Sequence, residues 1–209
     1  MTGRLPVDEQ LDAFRAALSR NEVLMEVLSR SVSLGLPGLY LTGGCLFQTV
    51  WNSVTGRAPD AGIKDYDLFY FDATDLSWEA EDAVIESAKQ VFADVPADVE
   101  IRNEARVHLW YEEKFGTPCP AHRSTEDAID SFVATTCCLG VRLEEPGGRW
   151  RVYAPHGLSD VFDLIVRPNP VLAPRAVYEA KVSRWLSQWP ELTVLPWPTE
   201  ARKLSEGVR

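Results

Sequence analysis

The stretch Ile63-Lys64-Asp65-Tyr66-Asp67-Leu68-Phe69-Tyr70-Phe71-Asp72 decides how this chain is read. Its aromatic and branched residues favour a strand, and side chains two apart on a strand share a face. Asp65 and Asp67 therefore project side by side, while Tyr66 and Leu68 face the other way. Two neighbouring carboxylates repel each other unless something positive lies between them, and hard oxygen ligands suit Mg²⁺ or Mn²⁺. Solvated acids on an exposed strand are the plain alternative, and the apolar run over residues 68–71 weighs against it. Phosphatases with an aspartyl nucleophile also carry Asp-x-Asp, but there the pair closes an apolar strand. Here the pair opens one, which argues against that chemistry.

Upstream, Leu39-Tyr40-Leu41-Thr42 reads as a short apolar strand, followed by Gly43-Gly44 and a helix over residues 45–54 with Leu46, Val50 and Val54 on one face. Glycines at a strand-to-helix turn let the backbone approach a phosphate, and the helix start adds N–H groups and a positive dipole end. Taken alone, the same pair is an ordinary tight turn. Downstream, Asp98-Val99-Glu100-Ile101-Arg102 reads as a strand with Val99 and Ile101 on one face and Glu100 on the other. If it lies beside the Asp65 strand, Glu100 completes a carboxylate triad. Such a triad can hold two divalent ions about 4 Å apart.

The remaining pattern interleaves helix and strand. A helix, or two, is expected over residues 8–31, and others over 79–92, 125–132 and 174–188. Strands are expected over 99–101 and 106–111. A hairpin of 133–143 with 150–154 turns at Glu145-Pro146-Gly147-Gly148. The last dozen residues, rich in Glu, Arg and Lys, read as a mobile tail. The class is α+β, a small mixed sheet flanked by helices, with a core over 1–118 and a C-terminal extension over 119–209 packed on it or continuous with it.

Composition narrows the functions. The 209 residues carry 31 acidic and 21 basic side chains, a formal charge of -10, which counts against gripping a long nucleic-acid backbone. The four cysteines show no metal-binding spacing and read as reduced buried thiols. No apolar run is long enough to span a membrane and the amino terminus has no signal-peptide pattern, so a cytoplasmic protein is expected. Arg106 suits either a phosphate contact or a structural ion pair, and His108 either a hydrogen bond to substrate or a structural role. Trp110, Trp150, Trp185, Trp189 and Trp197 read as core or interface residues.

Leu41-Thr42-Gly43-Gly44 followed by Asp65-Tyr66-Asp67-Leu68 resembles the signature of the DNA polymerase β-like nucleotidyltransferase superfamily. Val99-Glu100-Ile101-Arg102-Asn103-Glu104-Ala105-Arg106-Val107-His108-Leu109-Trp110-Tyr111 and Ala154-Pro155-His156-Gly157-Leu158-Ser159-Asp160 resemble an uncharacterised bacterial group within it. The likeness spans nearly the whole chain. It implies transfer of a nucleotidyl group from an NTP to an acceptor hydroxyl. Asp65, Asp67 and Glu100 would be the catalytic metal ligands for Mg²⁺ or Mn²⁺, and Gly43, Gly44, Arg106 and His108 would bind the nucleotide. Two departures stand out: Glu100 occupies a position where many members have Asp, and residues 55–62 make an insertion between the glycines and the Asp pair. A non-catalytic nucleotide- or partner-binding module is the alternative reading.

Overall fold

The computed structural model describes residues 2–198; the proposed tail lies outside them. The first helical segment divides into α1 (Val7–Leu18) and α2 (Glu22–Ser31). Asn21 makes the break: its side chain caps α2 by accepting from Leu24 N at 3.0 Å. β1 (Tyr40–Thr42) then leads through Gly43 into α3 (Gly44–Thr55). β2 (Asp65–Tyr70), α4 (Trp78–Val91) and β3 (Asp98–Asn103) follow. Next come α5 (Tyr111–Phe115), α6 (Thr125–Asp130), β4 (Gly140–Leu143), β5 (Trp150–Tyr153), α7 (Ser159–Phe162), β6 (Ile165–Val166), α8 (Arg175–Gln188) and β7 (Thr193–Val194).

Five strands form a mixed sheet in the order β3-β2-β1-β4-β5, with β2 and β3 parallel and the other pairs antiparallel. β1 is its middle strand and is buried along its whole length. β2 alternates as its sequence does. Tyr66, Leu68 and Tyr70 are buried in the main core, and Asp65, Asp67 and Phe69 lie on the opposite, partly open face. The sheet takes β4 and β5 from beyond residue 118, and the core includes Trp185 and Trp189 together with Phe47 and Trp51. Trp51 meets Trp185 and Trp189 edge to face, with ring centres 5.9 Å and 5.5 Å apart, and Phe47 packs against Trp51 and Trp185. Trp185 and Trp189 thus fill the core, as expected.

Residues 55–62 are tied down at their far end. Buried Asn52 donates through Nδ2 to the carbonyls of Pro59 (3.1 Å) and Ala61 (2.8 Å), and its Oδ1 accepts from Trp189 Nε1 at 2.8 Å. One amide therefore fastens the loop, α3 and the end of α8 together.

The strand expected over 106–111 is a 3-10 turn, Glu104–Leu109, running into α5. The alternation Arg106-Val107-His108-Leu109 mimics a strand. However, Asn103 accepts from Ala105 N at 3.1 Å and starts the turn, and four consecutive residues, Glu104 to Val107, are buried. The hairpin begins later than expected, at Gly140, because residues 135–137 form another 3-10 turn. All four cysteines are free, and among the described residues no helix is long and apolar enough to cross a membrane.

Candidate active site

The register of β2 on β3 sets the site. Asp67 stands opposite Glu100, and Phe69 opposite Arg102. Cross-strand partners put their side chains on the same face. Asp65, Asp67 and Phe69 from one strand and Glu100 and Arg102 from the other therefore form one floor. On its other side β2 pairs with β1, where Thr42 faces Asp67, and the chain turns immediately at Gly43. Gly43 has φ +74°, and a Cβ there would meet Asp67 Oδ2 at 2.7 Å, so only glycine fits both the backbone and the space. A Cβ on Gly44 would meet Gln48 Nε2 at 2.8 Å. The first N–H groups of α3, which have no intrahelical partner, start beside the carboxylates. Floor and turn line a cleft of about 470 Å³.

The electrostatics are those of an uncompensated acid pair. The Asp67 carboxyl is pushed up to about 7, chiefly by burial and then by the charges of Asp65 and Glu100, against a weaker pull from Lys181 and Arg102. Asp65 has Lys64 at 3.8 Å and Glu100 has Arg102 at 3.5 Å, both loose contacts to partly exposed groups. Asp67 has no ion pair among the described residues. Hard oxygens crowded against one another, with one held away from its charged form, suit a divalent cation. Among the described residues no group of three or more His, Cys, Asp or Glu side chains is drawn together tightly enough to coordinate an ion as it stands. The carboxylates share a floor, and a bound ion would have to draw them inward.

Lys181 and Arg184, one helical step apart on α8, line the cleft from the other side. Neither has an ion-pair partner among the described residues. Sequence reasoning missed them, although one signal was present: no Asp or Glu stands three or four residues from either, so the helix itself does not neutralise them. Glu104 and Gln48 also line the cleft, each 5% exposed, and Gln48 Oε1 has no hydrogen-bond partner among the described residues. Trp110, Tyr111, Lys114 and His122 form its far wall.

Arg106 and His108 are not brought to this cleft. Arg106 is buried in an ion pair with Glu81, donates through Nε to Leu76 O at 3.0 Å and lies 5.6 Å from the Trp78 ring centre. His108 does not line the cleft, and its Nδ1 is buried without a partner. Both depart from the floor because the chain turns at Asn103. Asp160 pairs with Arg167 at 2.9 Å.

A sequence model described as a nucleotidyltransferase family matches residues 29–194. No curated protein matches the chain. A solved structure whose description reads "The NMR structure of the protein reveals a CCA-adding enzyme head domain" is 23% identical. It superposes with a TM-score of 0.72, over 94% of this chain and 100% of that one. At that identity the likeness speaks for the fold, and the mixed sheet flanked by helices is the fold in question.

Proposed function

Because the chain belongs to the nucleotidyltransferase family, we propose that it moves a nucleoside monophosphate from an NTP to an acceptor hydroxyl in the cleft floored by Asp65, Asp67 and Glu100. The observation that carries this reading is the register: Asp67 faces Glu100, with Asp65 beside it and the Gly43-Gly44 turn directly against Asp67. Asp65, Asp67 and Glu100 would hold Mg²⁺ or Mn²⁺. The ion would supply Lewis-acid polarisation of the α-phosphate and a lower pKa for the attacking hydroxyl.

The chain's own groups do the rest. The Gly43-Gly44 turn and the start of α3 bring backbone N–H donors to the β- and γ-phosphates. Lys181 and Arg184 face the same space and offset the charge of the leaving pyrophosphate. The acceptor oxygen bonds to the α-phosphorus as the bond to the pyrophosphate oxygen breaks. Glu100, 42% exposed at the edge of the floor, takes the hydroxyl proton. Catalysis of this type is mostly positioning and charge neutralisation.

The test is a pyrophosphate-release assay with Mg²⁺, all four NTPs and a panel of hydroxyl acceptors. The likeness to a CCA-adding enzyme head domain puts nucleic-acid ends in that panel beside small molecules. Asp65→Ala and Asp67→Ala should each abolish release while the protein stays folded; full activity in either variant refutes the site. The loose Glu100–Arg102 pair favours a second reading, a nucleotide binder that does not turn over. Tight NTP binding by calorimetry with no pyrophosphate from any acceptor would select it.

A further inference from the structure

Among the described residues the buried side-chain amides serve the fold itself, with one exception. Gln10, Asn21, Asn52, Asn103 and Asn169 each make two or more hydrogen bonds to backbone or side-chain groups. Gln48 is buried like them and makes none among the described residues, and its Oε1 is sealed from water without a partner. A buried amide left unpaired weakens a fold. Packing therefore gives no reason for a glutamine here, and the residue lines the cleft.

Its place follows from helix geometry. Residues four apart on a helix share a face, and helical side chains lean toward the amino end. Gln48 stands four residues after Gly44 on α3, so its side chain leans back over the turn. A Cβ on Gly44 would meet Gln48 Nε2 at 2.8 Å, Cδ at 3.4 Å and Oε1 at 3.9 Å. The N–H end of the amide therefore faces the turn and the carbonyl end faces away. The mount is firm. Thr49 donates to Cys45 O at 2.7 Å and accepts from Asn21 Nδ2 at 2.9 Å, and the Phe47 ring lies 5.4 Å from that of Trp185. That ring contact joins the chain neighbours of Gln48 and Arg184, so amide and guanidinium line one cleft from α3 and α8. An unpaired polar group on a rigid mount, lining a cavity, is how a ligand-binding group is built.

The surroundings name the ligand's chemistry. The first N–H groups of α3, Lys181 and Arg184 are all donors, so what they share must be rich in acceptors. An amide can donate or accept, but a phosphate chain near neutral pH offers acceptors, and it takes the N–H end that already faces the turn. A neutral donor also suits this place better than a cation. Asp67 Oδ2 lies against Gly43, and a lysine or arginine at position 48 would pair with that carboxylate and compete with a metal ion for it.

We propose that Gln48 is a triphosphate-binding residue, its Nε2 donating to the β- or γ-phosphate seated at the Gly43-Gly44 turn, across the cleft from Lys181 and Arg184. It grips the phosphate chain and is indifferent to the base. This rests on the nucleotide reading given above.

The experiment is calorimetric binding, in Mg²⁺, of inorganic triphosphate and of non-hydrolysable analogues of the four NTPs to the wild type, Gln48→Met and Gln48→Glu. Each protein is also unfolded thermally in chelator and in Mg²⁺. Met keeps the length and removes both polar ends; Glu keeps the shape and removes the donor. Gln48→Met should weaken every ligand that the wild type binds by about tenfold, the effect of one hydrogen bond to a charged group, and by the same factor whatever the base. Gln48→Glu should weaken them at least as much, through repulsion. In chelator Gln48→Met should melt no lower than the wild type, because no internal hydrogen bond is lost, and it should keep the wild-type response to Mg²⁺. Affinities within about twofold of wild type in either variant, or a loss confined to one base, overturn the proposal. A lower melting temperature of Gln48→Met in chelator also overturns it by marking a structural residue, and a lost Mg²⁺ response does so by placing the residue at the metal. All of these leave the nucleotide site standing. If neither triphosphate nor any analogue binds the wild type in Mg²⁺, both readings fall.

Discussion

Replacing Asp67 by Asn should stabilise the metal-free protein while removing its response to metal. In the fold the Asp67 carboxyl is pushed from an ordinary value of 3.8 up to about 7 by burial and by Asp65 and Glu100. A raised carboxyl favours folding while it is protonated. That contribution is fully present below about pH 4, declines as the pH rises through about 7, and is gone above it. Asn keeps the shape and never ionises. The two proteins should therefore match near pH 4, and the variant should gain steadily up to about pH 8. The full difference in affinity for the proton is worth about 4 kcal/mol at most. Asp67 keeps some access to water in the cleft, so a gain of about 1–3 kcal/mol is expected, or roughly 2–10 °C in Tm for a chain this long.

The assay is thermal or urea unfolding in chelator at several pH values, repeated with Mg²⁺. The ion should raise the Tm of the wild type and leave Asp67→Asn nearly unmoved. Three results would refute the reasoning: a variant less stable than wild type near pH 8, a gain that does not change with pH, or an equal response of both proteins to Mg²⁺.

Lys181→Ala and Arg184→Ala should raise the KM for NTP about five- to twentyfold each and flatten its dependence on salt, read from initial rates at several ionic strengths. Asn52→Ala orphans two carbonyls and the Trp189 indole N–H; urea unfolding should show a loss of about 3–5 kcal/mol. A chain cut after residue 118 loses β4 from the edge of β1 and the rings of Trp185 and Trp189 from around Trp51. It should lack a cooperative unfolding transition, whereas a sharp one would mark residues 1–118 as a self-sufficient domain.

The floor of the site was legible because it depends on local rules. A period of two puts Asp65 beside Asp67 and separates Glu100 from Val99 and Ile101, and a glycine pair between strand and helix announces a close backbone approach. Whether the Glu100 strand lies beside the Asp65 strand was left as a condition; the two pair in parallel, with Glu100 opposite Asp67. Two kinds of feature were hidden. The turn after β3 imitated a strand, because the Asn103 cap outweighs an alternation only four residues long, and this sent Arg106 and His108 to the wrong place. The lack of acids at helical spacing marked Lys181 and Arg184 as unneutralised but could not place them, because their position depends on how α8 packs against α3 through the aromatic cluster, a contact between distant segments. Glu104 stood in plain view within a motif, but only its burial, set beside the paired Glu81, distinguishes it from an ordinary surface acid.

The docking of α8 on α3 also bears on synthesis. Asn52 and Trp189, which clasp the two helices, lie 137 residues apart in the chain. Chains emerge from the ribosome amino end first, and contacts between remote segments form late. The acidic floor is therefore complete in sequence well before the lysine and arginine that face it have been made. Until α8 arrives, the nascent chain presents uncompensated carboxylates and an open aromatic socket around Phe47 and Trp51, and the socket is the exposed apolar surface that chaperones cover. Completion of the cleft would then come in a single late event, the seating of one helix, and a ribosome stalled before residue 181 would carry the carboxylates and the Gly43-Gly44 turn without the two cations that face them.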